Sequence, residues 1–228
     1  MEKIKRLKSL FNYYNIDGYI IPKNDEFFCE YVPSNKDRLK FISNFSGSYG
    51  YALILKNKSY LFVDGRYTSQ AKIQSGKFFN IVTIPNKLPS SILKKKSLKI
   101  GFDPKLFTRK TLNYFLKETK CRPISVKFNL IDKLWKNKKK SKLKQFYNLQ
   151  DKESGQSFKF KIKKLVYELI NNSIDFQFVS SSENIAWLLN IRGQDSDFTP
   201  IPNSYLTIDS NKKINLFCNL RKINNSLR

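Results

Sequence analysis

The sequence predicts an α/β chain made of two related layered domains with mixed sheets, the second incomplete. Three observations predict it. Helical and extended hydrophobic periods alternate along the chain, as layered α/β folds require. The order of elements in the first half recurs in the second. Fewer elements follow the last hairpin of the second copy than follow its counterpart in the first, so the chain reads as a fragment of something longer.

The elements follow in order. Residues 2–15 place Ile4, Leu7, Leu10, Phe11 and Tyr14 at helical spacing, with lysines on the wet face. Residues 18–21 read as a short buried strand and 36–43 as a helix. Residues 51–55 and 59–63 form a hairpin across Asn57-Lys58. A helix over 67–75 ends at Gly76. Strands follow at 79–84 and 98–102. Thr108 caps a helix reaching about 119, and 125–128 is the last strand. The first domain is therefore expected over 1–132. Residues 133–157 are lysine-rich and without period, and read as a linker.

The second domain is expected over 158–228. Ile162, Leu165, Val166 and Leu169 share one face of a helix over 158–172. A strand over 175–179 follows. Ser180 with Glu183 forms a capping box for a helix through Leu189. Residues 205–208 and 214–217 make a hairpin across Ser210-Asn211-Lys212. The stretch from Asn15 to Ile21 parallels that from Ser173 to Val179, an offset of 158.

Composition bounds the chemistry. Of 228 residues, 40% are hydrophobic, enough for a core. No run of about 18 apolar residues occurs, so no membrane span is expected. The N-terminus interrupts its apolar residues with charge, unlike a signal peptide, and the chain is expected in the cytoplasm. Cys29, Cys121 and Cys218 are far apart and odd in number, which fits neither a disulfide framework nor a close-spaced zinc site. The chain has no histidine, which excludes Ser-His and Cys-His nucleophiles and histidine metal sites within it. The acidic groups Asp25-Glu26 with Glu30, Asp151 with Glu153, and Asp195 with Asp197 lack the spacing of a metal loop. No catalytic residue and no metal ligand is assigned. The net charge of +25 suggests anionic partners. But lysine, asparagine and isoleucine are enriched together, as A/T-rich coding drift would produce. The run over 133–144 reads as a solvated linker. A stand-alone basic module, for nucleic acid, is the alternative reading.

Three blocks carry a resemblance. The first is Glu30-Tyr31-Val32-Pro33, then Asp37-Arg38-Leu39, then Ile42 to Ser48. The second is Val63-Asp64-Gly65-Arg66-Tyr67 with Gln70-Ala71. The third runs from Ile185 to Gly193, with Asp195, Pro200 and Ser204-Tyr205-Leu206. Together they resemble the N-terminal region of aminopeptidase P, the Xaa-Pro aminopeptidases of the creatinase–prolidase superfamily. The resemblance implies two creatinase-like domains ahead of a catalytic domain. That domain holds two divalent metals, usually manganese, on Asp, Asp, His, Glu and Glu, and removes an N-terminal residue that precedes proline. None of those ligands falls on this chain.

The resemblance also implies that Arg66 meets the peptide substrate, with Asp64, Tyr67 and Arg192 in support, and that homo-oligomer contacts are possible. Gly65 is expected at positive φ. Asp64 is expected to cap the helix from Tyr67 or to hold the guanidinium, Tyr67 to pack at the helix start, and Arg192 to fix its loop to Asp195. The rival reading of Asp64-Gly65-Arg66 is a surface pair with no further role. Asn44 stands where the family often has glycine and Tyr49 where a small residue is usual, so the loop before the hairpin is expected to be remodelled.

Overall fold

Alternating apolar residues run along the strands of the first half with both alternations hydrophobic, and the fold gives each face a helical cover. The computed structural model describes residues 2–139, 143–224 and 227. They divide into two compact units. Met1–Glu26 with Ser34–Lys140 form one, and Phe27–Pro33 with Ser141–Arg228 the other.

In the first unit the order is α1 (Glu2–Ser9), β1 (Gly18–Pro22), α2 (Arg38–Ser43), β2 (Gly50–Leu55), β3 (Ser59–Asp64), a 3-10 turn (Gly65–Tyr67) and α3 (Thr68–Ser75). Then come β4 (Asn80–Ile84), α4 (Pro89–Leu93), β5 (Lys99–Phe102), α5 (Arg109–Leu116), β6 (Arg122–Ser125) and α6 (Leu130–Leu134). The sheet order is β4-β3-β2-β1-β5-β6. β2 runs antiparallel to β1 and β3, and the other pairs are parallel, so the sheet is mixed. Tyr19, Ile21, Ala52, Ile54, Leu61 and Val63 face the core shared with α1, α2, α3 and α6. Ile20, Tyr51, Leu53, Leu55 and Phe62 face the opposite core, with Leu93 of α4 and Phe115 of α5. Each such side chain contributes about 1.5–3 kcal/mol when buried.

The differences from expectation have local causes. α1 ends at Ser9, and the chain continues through tight turns to Asn15 in the left-handed region, φ 50°. The last strand lies at Arg122–Ser125, three residues before its expected start. It contains Pro123, tolerable because β6 is an edge. Thr108 caps α5 as expected, accepting from the Thr111 amide, but the helix stops at Leu116 before Glu118 at φ 57°. α4 and α6 are single turns that no period announces. Asn129 caps α6 by accepting from the amides of Ile131 and Asp132. Asn44 is the left-handed C-cap of α2, φ 66°, a conformation asparagine shares with glycine.

The second unit contains β7 (Tyr147–Asn148), α7 (Asp151–Ser154), α8 (Phe158–Asn171), β8 (Phe176–Val179), α9 (Ser182–Leu189), β9 (Ile191–Arg192), β10 (Tyr205–Asp209) and β11 (Ile214–Phe217). One antiparallel sheet runs β11-β10-β8, and β7 pairs with β9. Ile162, Val166 and Leu169 of α8 pack with Ile185, Leu188, Leu206 and Ile208. The cap of α9 is Ser181 rather than Ser180: its Oγ accepts from the Asn184 amide and donates to Glu183. The stretch read as a linker carries β7 and α7, too short to register as a period; residues 140–142 of it lie outside the described residues. The segment Phe27–Pro33 belongs here, with Phe27 stacked on Tyr205 at 5.1 Å and Cys29 Sγ donating to Asn203 Oδ1 at 3.3 Å.

The two units repeat one plan. Asn15 at φ 50° and Ser173 at φ 52° precede β1 and β8, at the offset of 158. Asn44 at φ 66° and Asn190 at φ 54° close α2 and α9, at an offset of 146. The difference of 12 falls in the stretch that contains Phe27–Pro33. Lys3 donates to the Phe41 carbonyl at 2.9 Å and lies 4.3 Å from the centre of the Phe41 ring. Lys161, 158 residues on, donates to the Trp187 carbonyl at 2.7 Å and lies 4.6 Å from that ring's centre.

A charged cluster locks the first unit beside the point where the chain leaves it. Buried Arg38 donates to Glu26 at 2.6 Å and to both Asp132 oxygens at 3.1 and 2.9 Å. Lys36 pairs with Glu26 at 2.9 Å and with Asp25 at 3.3 Å. Burial pushes the Glu26 carboxyl up, but Lys36 and Arg38 outweigh it and bring it down to about 2 from an ordinary 4.5. A carboxyl depressed on folding stabilises above its unfolded value, and that stability is lost as pH falls through the folded value. Thermal melts should therefore show the first unit losing about 2–3 kcal/mol between pH 4.5 and 2 from this group. Glu26→Gln should flatten that slope; an unchanged slope would remove Glu26 from the network's acid response.

Candidate functional site

β3 delivers its last residue, Asp64, to the edge of the core, and the chain turns there. The Asp64 carboxylate caps the 3-10 turn, accepting from the Arg66 amide at 2.9 Å. The same Oδ1 accepts from Arg66 Nε at 3.0 Å, and Oδ2 from Nη2 at 3.4 Å. Asp64 thus both caps and holds the guanidinium, although the capped element is the 3-10 turn and not a helix from Tyr67. The Arg66 side-chain hydrogen bond holds the Asp64 carboxyl below its ordinary value. The Asp64 hydrogen bond raises Arg66 in turn.

Gly65 is not at positive φ, because a right-handed 3-10 turn needs negative φ. A Cβ there would meet only Thr83 Cγ2 at 3.9 Å. Gly50 differs: a Cβ there would come within 2.6 Å of the Phe62 carbonyl oxygen, across the hairpin.

Tyr67 packs at the start of α3, as expected. Its ring meets Phe45 edge-on at 5.8 Å, and its hydroxyl bonds Ser48 Oγ at 2.8 Å. That hydrogen bond lowers the phenol's pKa. Gln70 donates to Ser46 Oγ at 2.9 Å, and Gln74 accepts from the Ser46 amide at 2.9 Å. The end of the first sequence block, Phe45 to Ser48, and the second block, separate in the chain, meet at one corner.

Arg66 stands out from that corner. Its side chain is 72% exposed, and its Nη1 makes no hydrogen bond among the described residues. The guanidinium is oriented by one edge and open on the other. Beside it lies a groove of about 580 Å³ lined by Asp64, Tyr49, Tyr51, Pro85, Lys110 and Tyr114, among others. Sequence reading missed Lys110 and Tyr114; the capped helix bearing the Tyr114-Phe115 pair was the available signal. Tyr49, the departure noted above, is half exposed at the groove mouth, so the loop change adds an aromatic wall.

Arg192 lies in the second unit. Its Nη1 donates to the Ala186 carbonyl in the last turn of α9 at 2.7 Å and to the Ile191 carbonyl of β9 at 3.0 Å. It does not fix the loop to Asp195. Asp195 instead binds Lys222 and accepts from the Asn203 amide at 2.8 Å. Among the described residues no group of three or more His, Cys, Asp or Glu could hold a metal ion. No helix there is long and apolar enough to cross a membrane.

Because Gly65 sits in a right-handed turn with open space, Gly65→Ala should leave the melting temperature unchanged or raise it by the equivalent of about 0.4–1 kcal/mol. Gly50→Ala should lower it clearly. A large loss at Gly65 would contradict the turn described.

Residues 3–134 match the family described as creatinase/prolidase N-terminal domain, and residues 137–228 match a second family of that description. The chain is 32% identical over 239 residues to a probable Xaa-Pro aminopeptidase P of Coprinopsis cinerea, covering all of this chain and 38% of that protein. It is 30% identical over 246 residues to Xaa-Pro aminopeptidase 1 of Dictyostelium discoideum, covering 39% of it. The crystal structure of the X-prolyl aminopeptidase of Caenorhabditis elegans, a cytosolic enzyme with a di-nuclear active site, superimposes with a TM-score of 0.90 at 26% identity. That match covers 99% of this chain and 40% of the worm enzyme. The chain thus spans about two fifths of the relatives it matches, and it belongs to the creatinase/prolidase N-terminal domain family, with two such domains in tandem like the N-terminal region of Xaa-Pro aminopeptidase P.

Proposed function

We propose that this chain is the non-catalytic N-terminal region of a metal-dependent Xaa-Pro aminopeptidase, shaping the cleft that takes peptides with proline in second position. The observation that carries the reading is Arg66: aimed by Asp64 through two nitrogens, 72% exposed, and with Nη1 open. A planar fork held on one edge offers its other edge to a peptide carbonyl or carboxylate at a fixed angle. Tyr67 keeps the turn in place through Ser48 and Phe45. In this reading the two metals, manganese ions, belong to a separate catalytic domain. The protein works in the cytoplasm, as the worm relative is described.

The basic-module alternative gains no support from its densest lysine run. Lys138 pairs with Asp132 at 2.8 Å, and Lys133 bonds the Tyr14 hydroxyl.

Two experiments test the proposal. The purified chain should not hydrolyse Xaa-Pro peptides, with or without manganese; turnover that survives repurification would overturn the non-catalytic assignment. Joined to the catalytic domain of the worm relative, Arg66→Ala should lower kcat/KM by roughly ten- to a hundredfold, the loss of one charge-assisted hydrogen bond. Arg66→Lys should recover only part, since an ammonium cannot reproduce the fork. Normal kinetics with a lowered melting temperature would make Asp64-Gly65-Arg66 a structural corner only.

A further inference from the structure

The groove beside Arg66 holds a donor that nothing in the fold uses. Tyr51 of β2 is 3% exposed. Its ring packs against Phe62 at 5.1 Å and Phe115 at 4.3 Å between centroids, so it cannot swing and its hydroxyl has one direction. That hydroxyl makes no hydrogen bond among the described residues, and it is not sealed in, because Tyr51 lines the groove of about 580 Å³. Burial raises the phenol's pKa, and the nearby Tyr49 and Tyr114 phenols add to the shift, so Tyr51 stays a neutral donor. A buried donor without a partner is costly, and its place at an open groove points to an acceptor from outside the fold.

The walls suit an extended chain that carries a ring. Lys110 and Tyr114 are four apart on α5 and share its groove side. Tyr49 and Tyr114 are half exposed, so both rings have surface to offer, and Pro85 and Leu88 add apolar wall. Lys110 has no ion-pair partner among the described residues, which leaves its charge to a ligand. Every lining residue lies between Tyr49 and Phe115, so the groove is made within the first unit alone. Asp64 belongs to both places, lining the groove and anchoring Arg66. The volume falls within the roughly 300–1,000 Å³ of small-ligand clefts. We infer that this groove is a subsite for the part of a peptide downstream of the proline, taking an aromatic side chain between Tyr49 and Tyr114 while Tyr51 and Lys110 donate to the peptide's carbonyl and carboxylate oxygens. The inference rests on the peptide reading of Arg66. Removal of a single N-terminal residue leaves one residue upstream of the cut, so any longer contact is with the downstream part. Tyr49 stands where a small residue is usual, so the preference for a ring belongs to this chain rather than to the family at large.

The test titrates the full chain with the peptide Ala-Pro-Ala-Phe-Phe, followed by two-dimensional NMR, which registers weak binding. Two adjacent rings are used because alternate side chains of an extended peptide face opposite ways, so one meets the groove in either register. Saturable shifts are expected at Tyr49, Lys110 and Tyr114. Ala-Pro-Ala-Ala-Ala should bind roughly tenfold more weakly, the effect of one unburied ring, in a control that leaves the protein untouched. Tyr51→Phe removes one oxygen and keeps the ring in the core; it should weaken binding of the phenylalanine peptide by about two- to tenfold with no fall in melting temperature. Tyr114→Ala, at an exposed ring, should weaken it as well. Arg66→Ala keeps the two readings apart. Binding weakened by the groove variants and not by Arg66→Ala would uphold the subsite without Arg66. Binding weakened by Arg66→Ala alone would uphold Arg66 and overturn the subsite. No saturable binding, shifts on another face, or equal binding of the two peptides would each overturn the inference.

Discussion

The first unit depends on β2. All six of its residues, Gly50–Leu55, are buried, and their alternation sends Ala52 and Ile54 to one core and Tyr51, Leu53 and Leu55 to the other. A strand buried on both faces needs helices on both sides and hydrogen-bonded neighbours on both edges. β1 and β3 supply the edges, and the helices supply the faces. The register from Gly50 with Val63 to Ile54 with Ser59 then dictates where β3 runs out. A shift of one residue would invert both cores at once, so the register is strongly specified. Asp64 sits where it does because β2 leaves no alternative.

The corner at Asp64-Gly65-Arg66 inherits that rigidity without being part of the core. Asp64 is the first residue beyond the doubly covered stretch. Its carboxylate is used twice, for the amide and for the guanidinium of Arg66, so backbone and side chain are set by one anchor. Ser46, Ser48, Tyr67 and Gln70 close the other side of the turn with hydrogen bonds that link the loop before β2 to the start of α3. An exposed pair of this kind adds little to stability. The second unit shows the contrast: Arg192, in an equally prominent sequence block, spends Nη1 on the Ala186 carbonyl of α9 and the Ile191 carbonyl of β9.

Much of this was legible in the sequence, because period and capping are local. The hairpin at Asn57-Lys58, the Thr108 cap, the core faces of α1 and α8, and the offset of 158 all follow from residues close in the chain. What escaped is what depends on distant partners. α4 and α6 are too short to show a period, and their packing against α5, α1 and α2 gives them their place. β6 was misplaced because Pro123 argues against a strand until its edge position is known. The block Glu30-Tyr31-Val32-Pro33 gave no hint that it would be gathered with residues past 140, since that rests on ring contacts such as Phe27 on Tyr205 and Tyr31 on Phe198. Gly65 was read by its residue type, and the 3-10 turn that asks nothing special of glycine is visible only in three dimensions. Around Arg66, the charged motif stood out in the sequence, while the aromatic groove assembled from Tyr49, Tyr51 and Tyr114 did not.

The claim that the corner rides on a doubly buried strand is tested most directly by native-state hydrogen exchange across a denaturant series. Amides of β2 and β3 should exchange only by global unfolding, with the full denaturant dependence of the first unit. The Arg66 amide, bonded to the exposed Asp64 carboxylate, should exchange more slowly than an unprotected amide but through a local opening smaller than global unfolding. Exchange of β2 amides through a small local opening, or an Arg66 amide as fast as an unprotected one, would contradict the account, because the guanidinium would then have no fixed base from which to be presented.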